Sequence, residues 1–345
     1  MIGGGRRGLD PVTSAGTALA THRGHDEADW AVGVCTLAGS DDTLGAAQEL
    51  IDRLGRLVPY VGAALCAFDP IDQRHVTVAS AGYTPDVARY LNQGFVDADP
   101  AYRLMRTRAT YPMRWRDVPF DYEAGVSVRE VFRPAGFREG MSAPLTTPEG
   151  RYTGVLHVST DTPVHPSDQA RETIHRVRSA VARIIDPLRQ PALMAGLLAP
   201  AAHAAVVTPA GGVVALPGRS SGPLLAADSS LVARVALLLS RGAEDRRFLW
   251  EEPRHEWHRV RVMPFDGRGL VLEQACALPH GITPRELEVL TAIAAGATNA
   301  DMARAFVVAP RTVATHVEHL LEKLGCRSRA GCAAIAVAEG LLLER

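Results

Sequence analysis

The most chemically loaded run of this chain lies near its C-terminus. Within PRTVATHVE, Arg311, Thr312, Thr315, His316 and Glu318 place a guanidinium, two hydroxyls, an imidazole and a carboxylate on about two turns of helix. Such groups suit hydrogen bonds to phosphates and base edges. Arg311, Thr312 and His316 are candidate phosphate contacts, with Thr298, Asn299, Lys323 and Arg329, all short polar or cationic groups near helix starts and flanks. Ala314 and Thr315 can meet a thymine methyl, and Glu318 can accept a hydrogen bond from a cytosine amino group. His316 has a strong alternative reading as a packed, hydrogen-bonded structural residue. A second set, Tyr90, Asp99 and Trp115, reads from local signals as a helix start at Asp99-Pro100 with Tyr90 and Trp115 in the core.

Local signals define the elements that must position the first set. Thr283, Pro284 and Glu286 make an N-cap, a first-turn proline and a capping box, and Gly296 ends the helix they begin. Thr298 or Asn299 caps a short second helix carrying Met302, Ala303 and Phe306. VVAP breaks it, since the residue before proline is pushed out of the helical region. A third helix is predicted from about Pro310 to Leu324, with Val313, Val317, Leu320 and Leu324 on one stripe and Arg311, Thr315, Glu318 and Lys323 opposite. A fourth follows Ser328 and runs to Gly340. Two short helices, a tight connection and a third with a polar face is the helix-turn-helix plan, against the alternative of a bundle that only packs on its neighbour.

TPRELEVL, the N-x-D-M-A of Asn299 to Ala303, P-R-T-V-x-T-H-V and KLG-x-R-S-R resemble the LuxR-type helix-turn-helix. The resemblance implies sequence-specific binding of double-stranded DNA by a dimer, with the third helix in the major groove and the fourth helping to pair subunits. Ala314 stands where many members carry lysine, and Glu318 where a basic or polar residue is common. From Pro279 to Arg345 seven Lys and Arg face seven Asp and Glu, so this head is neutral and two heads on a two-fold site are expected.

The 345 residues suffice for two or three domains, and 47% hydrophobic with 22% charged residues fits ordinary globular modules. A net charge of −1 argues against a polybasic membrane anchor or a general nucleic-acid coat. Cys35, Cys66, Cys276, Cys326 and Cys332 form no metal spacing and no secreted framework, which favours reduced thiols in a cytoplasm. The glycine-rich, basic start lacks the apolar core of a signal peptide, and residues 1–40 read as a flexible tail. Pro200, His203, Asp228 and Arg234 interrupt the longest apolar stretches, so no membrane span is predicted. His75, His157, His165 and Cys66 lack ligand spacing, and neither G-x-S-x-G, a P-loop nor a dinucleotide fingerprint is present: no metal, no cofactor and no enzyme is expected.

Residues 41–187 form the first folded unit. A helix around Thr43 to Leu57 presents Leu44, Leu50, Ile51, Leu54 and Leu57. VGAALCAFD and RHVTVASAG make a hairpin, as do GMSAPLTT and RYTGVLHVST. Short helical pieces lie near Asp86 to Leu91 and Pro100 to Thr107, Ser127 caps another, and a helix from Ser167 to Ile185 closes the unit on a stripe of Ile174, Val177, Val181 and Ile184. This order, with FREGMSAPLTTPEGRYTGVLHVS as its most telling piece, is similar to a GAF sensor domain. That likeness implies a pocket for a small molecule or a protein contact between sheet and crossover, and no catalysis. The crossover also looks like the autoinducer-binding domain of quorum-sensing LuxR proteins, in which Tyr90, Asp99-Pro100, Trp115 and Gly140 fall in order; Asp86 stands where an aromatic is expected. That resemblance implies an Asp99 carboxylate that accepts an amide N–H from a ligand, with Tyr90 and Trp115 supplying a hydroxyl, an indole N–H and flat apolar walls.

Residues 188–275 form a smaller unit. HAAVVTP and GVVALP flank a turn at Ala210-Gly211-Gly212, a helix capped by Asp228 or Ser229 follows, and RRFLWEE, EWHRVRVMPF and GLVLEQA read as strands. The pattern resembles a reduced PAS-like domain serving as a spacer. With residues 276–345 as the helical head, the expected fold class is α+β: GAF-like and PAS-like antiparallel-sheet units followed by a four-helix LuxR-type helix-turn-helix. The reading is a one-component transcription regulator, cytoplasmic, whose sensor controls how a homodimer meets a two-fold operator. A small-molecule effector and RNA polymerase complete the expected partners. The alternatives are a quorum-sensing receptor for an amide-bearing signal, or a binding module controlled by a protein partner.

Overall fold

Trp30, Val34 and Ala38 recur every fourth residue, and all three are buried. They seat residues 27–37 as helix α1 in the core, which corrects the expectation of a flexible tail through residue 40: the apolar stripe in WAVGVCTLA outweighs the early breakers. The structure, a computed structural model, describes residues 27–107, 111–252 and 255–344, and the remainder of the expected tail lies outside these. It divides into two compact units, Met1–Pro187 and Leu188–Arg345.

In the first unit, α2 (Thr43–Leu54) is capped by the Asp42 carboxylate on Gly45 N–H. It buries Ala46, Ala47, Leu50, Ile51 and Leu54, while Leu44, expected on that stripe, is 67% exposed because it lies off the face that meets the sheet. Strands β1 (Gly62–Asp69) and β2 (Arg74–Ala81) form the first hairpin. Then come α3 (Pro85–Arg89), a π-helical turn over Tyr90–Gly94, α4 (Phe95–Ala98) and α5 (Pro100–Thr107). After β3 (Met113–Arg114), a second π-helical segment covers Ser127–Phe132, so Ser127 lies inside a helix and does not cap it. β4 (Glu139–Thr146) and β5 (Tyr152–Thr160) form the second hairpin, and α6 (Asp168–Ile184) starts at an Ser167 cap. The sheet order is β2-β1-β5-β4-β3, all antiparallel, so the two hairpins join through β1 and β5. Helices α1, α2 and α6 cover one face; the irregular crossover covers the other with Leu91, Phe95, Trp115, Tyr122 and Phe132. Covered on both sides, β1 is almost wholly buried.

In the second unit α7 (Arg189–Leu198) precedes β6 (His203–Val207) and β7 (Val213–Ala215). α8 (Ser230–Ser240) is capped by Ser229, and β8 (Arg246–Glu251), β9 (Trp257–Phe265) and β10 (Arg268–Cys276) follow where strands were predicted. The head comprises α9 (Pro284–Ala294), α10 (Asn299–Phe306), α11 (Pro310–Lys323) and α12 (Arg329–Glu339). Capping boxes open α9 at Thr283 and Glu286 and α10 at Thr298 and Asp301, and Gly340 ends α12 in the left-handed region. A short strand that the sequence did not announce, β11 (Leu343–Glu344), pairs parallel with β8, giving the order β11-β8-β9-β10-β6-β7. α8 covers one face of this sheet. α7 covers part of the other, and at the far end of that face Leu249 of β8 enters the core of the head.

Candidate functional sites

The first site is built around Asp99, which is 1% exposed. Its Oδ1 accepts Ala101 N–H at 2.8 Å, starting α5; its Oδ2 accepts the hydroxyls of Tyr90 at 2.7 Å, Tyr122 at 2.8 Å and Ser127. One oxygen thus caps a helix, as the helix-start reading expects, and the other is engaged by a ring of protein hydroxyls. Burial, and then the nearby Asp99 charge, push the Tyr90 and Tyr122 phenols well above their ordinary range, so both remain donors. Tyr90 also stacks edge-on against Phe132 at 5.5 Å. Trp115 is held by its chain neighbours: Arg114 forks onto Asp117, and Trp115 N–H donates to the buried Glu139 at 2.8 Å. A Cβ on Gly140 would lie 2.5 Å from the indole nitrogen, which explains glycine before the body of β4.

Trp115 and Tyr122 line an interior cavity of about 20 Å³ with Tyr83, Phe95, Ser142, His157 and Ser159, room for about one water molecule. The structure thus brings Tyr90 and Asp99 into one hydrogen-bonded cluster and Trp115 beside it through Tyr122. Sequence reasoning missed Tyr122, Ser127 and His157, whose hydroxyls and imidazole reach the site from separate elements. Only Tyr122 carried a signal, as one of the aromatic residues in the loop after Trp115. His157, fully buried, bonds Ser142 through Nδ1 at 3.0 Å, and its Nε2 has no partner among the described residues.

The second site is the outer face of the head. Arg311, Thr312, Thr315 and Glu318 are exposed on α11 and Ala314 is half-buried beside them, so the side chains expected to read DNA share an open surface. Others of that set are already engaged. Lys323 Nζ donates to Glu286 at 2.6 Å and to Gly281 O at 2.9 Å, tying α11 to α9. Burial raises Glu286, but Lys323 and Thr283 N–H hold it below the usual carboxylate range. Arg329 donates to Asn299 Oδ1 at 2.9 Å and to Ala297 O, joining the starts of α12 and α10. Thr298 is the N-cap of α10, its hydroxyl on Asp301 at 2.6 Å. His316 Nδ1 is buried without a partner among the described residues. Glu286, His316 and His319 bring ligand atoms within 4.8 Å of one another, a cluster that the sequence reading did not weigh. The Lys323 ammonium on Glu286 opposes a cation there.

Residues 280–336 match the family model for bacterial regulatory proteins of the luxR family, and residues 32–186 match the autoinducer binding domain. This is a luxR-family head on an autoinducer-binding domain. The luxR-family head is 40% identical over 74 residues to the "Probable transcriptional regulatory protein NarL" of Mycobacterium tuberculosis, covering 21% of this chain and 34% of that protein. It is 41% identical over 61 residues to the "Transcriptional regulatory protein LiaR" of Bacillus subtilis, covering 17% and 29%. The chain thus spans about a third of the length of these relatives. Among solved structures, Escherichia coli SdiA aligns over 92% of this chain and 99% of its own at 17% identity and a TM-score of 0.35. The GAF domain of a Coxiella burnetii phosphoenolpyruvate-protein phosphotransferase aligns over 48% and 96% at 14% identity and a TM-score of 0.39. Among the described residues no helix is long and apolar enough to cross a membrane.

Proposed function

We propose that the protein is a cytoplasmic one-component transcription regulator that binds a two-fold operator as a homodimer through α11, under control of a small molecule bound in the first unit. The observation that carries this reading is the open face of α11 within a luxR-family head; in the proposed complex Arg311 and Thr312 would meet phosphates, and Thr315 and Glu318 base edges. Control requires that the ligand bind one arrangement of the chain more tightly than another. RNA polymerase is the expected contact of the DNA-bound dimer.

The match of residues 32–186 favours a quorum-sensing receptor as the more specific form of this reading. An amide-bearing signal would offer its N–H to Asp99 in place of one of the three hydroxyls and lie against Trp115, opening an interior that is otherwise nearly filled. Asp99→Asn would then abolish the response while leaving basal DNA binding in place.

The test is a genome-wide pull-down of DNA fragments with the full chain beside a Thr315→Ala, Glu318→Ala variant. Recovery of a two-fold motif by the wild type and its loss in the variant is the expected result. Equal recovery by both would remove α11 as the reader. Repeating the pull-down with extracts containing acylated amides decides whether the first unit responds to that class.

A further inference from the structure

The second unit holds a cleft that neither domain match covers. It opens on the sheet face that α7 and the luxR-family head share, between the two, with a volume of about 270 Å³. Its floor is Arg259, Arg261 and Leu272; Arg247 stands across from Arg261, and Leu198, Ala199 and Ala202 form an apolar wall. Gly340, at the end of α12, packs on Arg247 so closely that a Cβ there would lie 2.5 Å from the arginine's own Cβ.

The charge arrangement is unusual for a sheet. Arg247 and Arg261 are direct cross-strand partners, and Arg259 is two residues along β9 on the same face. Like charges directly opposite are destabilising. Of the carboxylates here, Asp245 is paired with Arg261 itself at 3.0 Å, while Glu273 and Glu339, which also line the cleft, are bonded to His258 at 2.6 Å and His280 at 2.7 Å. Asp245 also feels the charge of Arg247 at longer range. Among the described residues, neither the Arg247 nor the Arg259 guanidinium has a hydrogen-bonding or ion-pairing partner.

We infer that this cleft binds a small organic anion, its phosphate or carboxylate group held between Arg247 and Arg259 and its apolar part against Leu198, Ala202 and Leu272. Planar guanidiniums match such oxyanions bidentately, and an anion between Arg247 and Arg259 would offset the positive charge that these two unpaired groups bring to one face of the sheet. Because the cleft lies between α7 and the end of α12, its occupant would touch both the segment leading into the unit and the head. The inference does not depend on a ligand in the first unit.

The test uses inorganic pyrophosphate as probe, with sodium chloride at matched ionic strength as control, on the full chain and on an Arg247→Gln, Arg259→Gln variant. Calorimetry is expected to give one saturable site in the wild type. At ten times the dissociation constant the unfolding equilibrium constant falls about elevenfold. The double variant is expected to lose this shift and, without pyrophosphate, to melt no lower than the wild type. Arg259→Lys, which keeps the charge but not the fork, is expected to weaken binding about tenfold. No saturable binding by the wild type, or equal binding by the double variant, overturns the inference. So does a double variant that melts lower without ligand, which makes the arginines structural, or one that loses affinity for DNA alone.

Discussion

Arg311 and Lys323 were equal candidates for phosphate contacts in the sequence, and the structure separates them. Arg311 is exposed at the start of α11, whereas Lys323 is bonded to Glu286 and Gly281. Arg311→Ala is expected to lower the slope of log affinity against log salt by about one with little change in stability. Lys323→Ala is expected to leave that slope nearly unchanged and to destabilise the head by about 1–2 kcal/mol, since Glu286 loses its counterion. Salt titrations of DNA binding beside urea unfolding check both. His75 gives a pH prediction. Burial, with a smaller contribution from Arg106, lowers it from 6.5 to about 4. The unfolded chain therefore takes up this proton first as pH falls. The stability it contributes is fully present above pH 6.5 and drains away towards pH 4, up to roughly 3 kcal/mol. His157, also held well below its usual range by burial, acts in the same direction. His75→Gln is expected to flatten the stability profile across that window; an unchanged profile would remove His75 as a contributor.

At the scale of elements, the turn between α10 and α11 carries an avoidable cost. Val307 caps α10 at φ 55°, in the left-handed region, and is 89% exposed, so its β-branched side chain strains the backbone without packing gain. Val307→Gly is expected to raise the stability of the head by about 1 kcal/mol, read as a higher urea midpoint at unchanged slope. The caps were legible because they are local: Thr283, Thr298 and Ser328 each sit where a cap and the following helix require them. α1 and α7 were not foreseen as helices, since the glycines and basic residues before α1 and the prolines around α7 mask their apolar stripes. β11 carried no signal, because two residues have no periodicity and pair only through a partner nearly a hundred positions away.

At the scale of the whole molecule, the helical head and the six-stranded sheet lie in one compact unit, Leu188–Arg345. Leu249 is fully buried in the core of the head, Leu249 N–H donates to Leu342 O at 2.8 Å, and Glu344 is held by Arg234 and Arg246. A fragment of residues 276–345 is therefore expected to be less stable than the head within residues 188–345 by roughly 2–3 kcal/mol, the burial of one leucine with its supporting bonds. Thermal unfolding of the two fragments decides it; equal stability would mean that the sheet contributes nothing to the head. The sequence by itself determined the helical head, its caps, the two hairpins of the first unit and the candidate face of α11, because those depend on neighbours within a few turns or on alternation along one strand. Only the tertiary structure decided that three hydroxyls from separate elements converge on Asp99, that Lys323 turns inward, and that Arg247 and Arg261 lie side by side on neighbouring strands at a cleft. These depend on register between distant strands and on which elements share a face, and no local pattern in the chain encodes either.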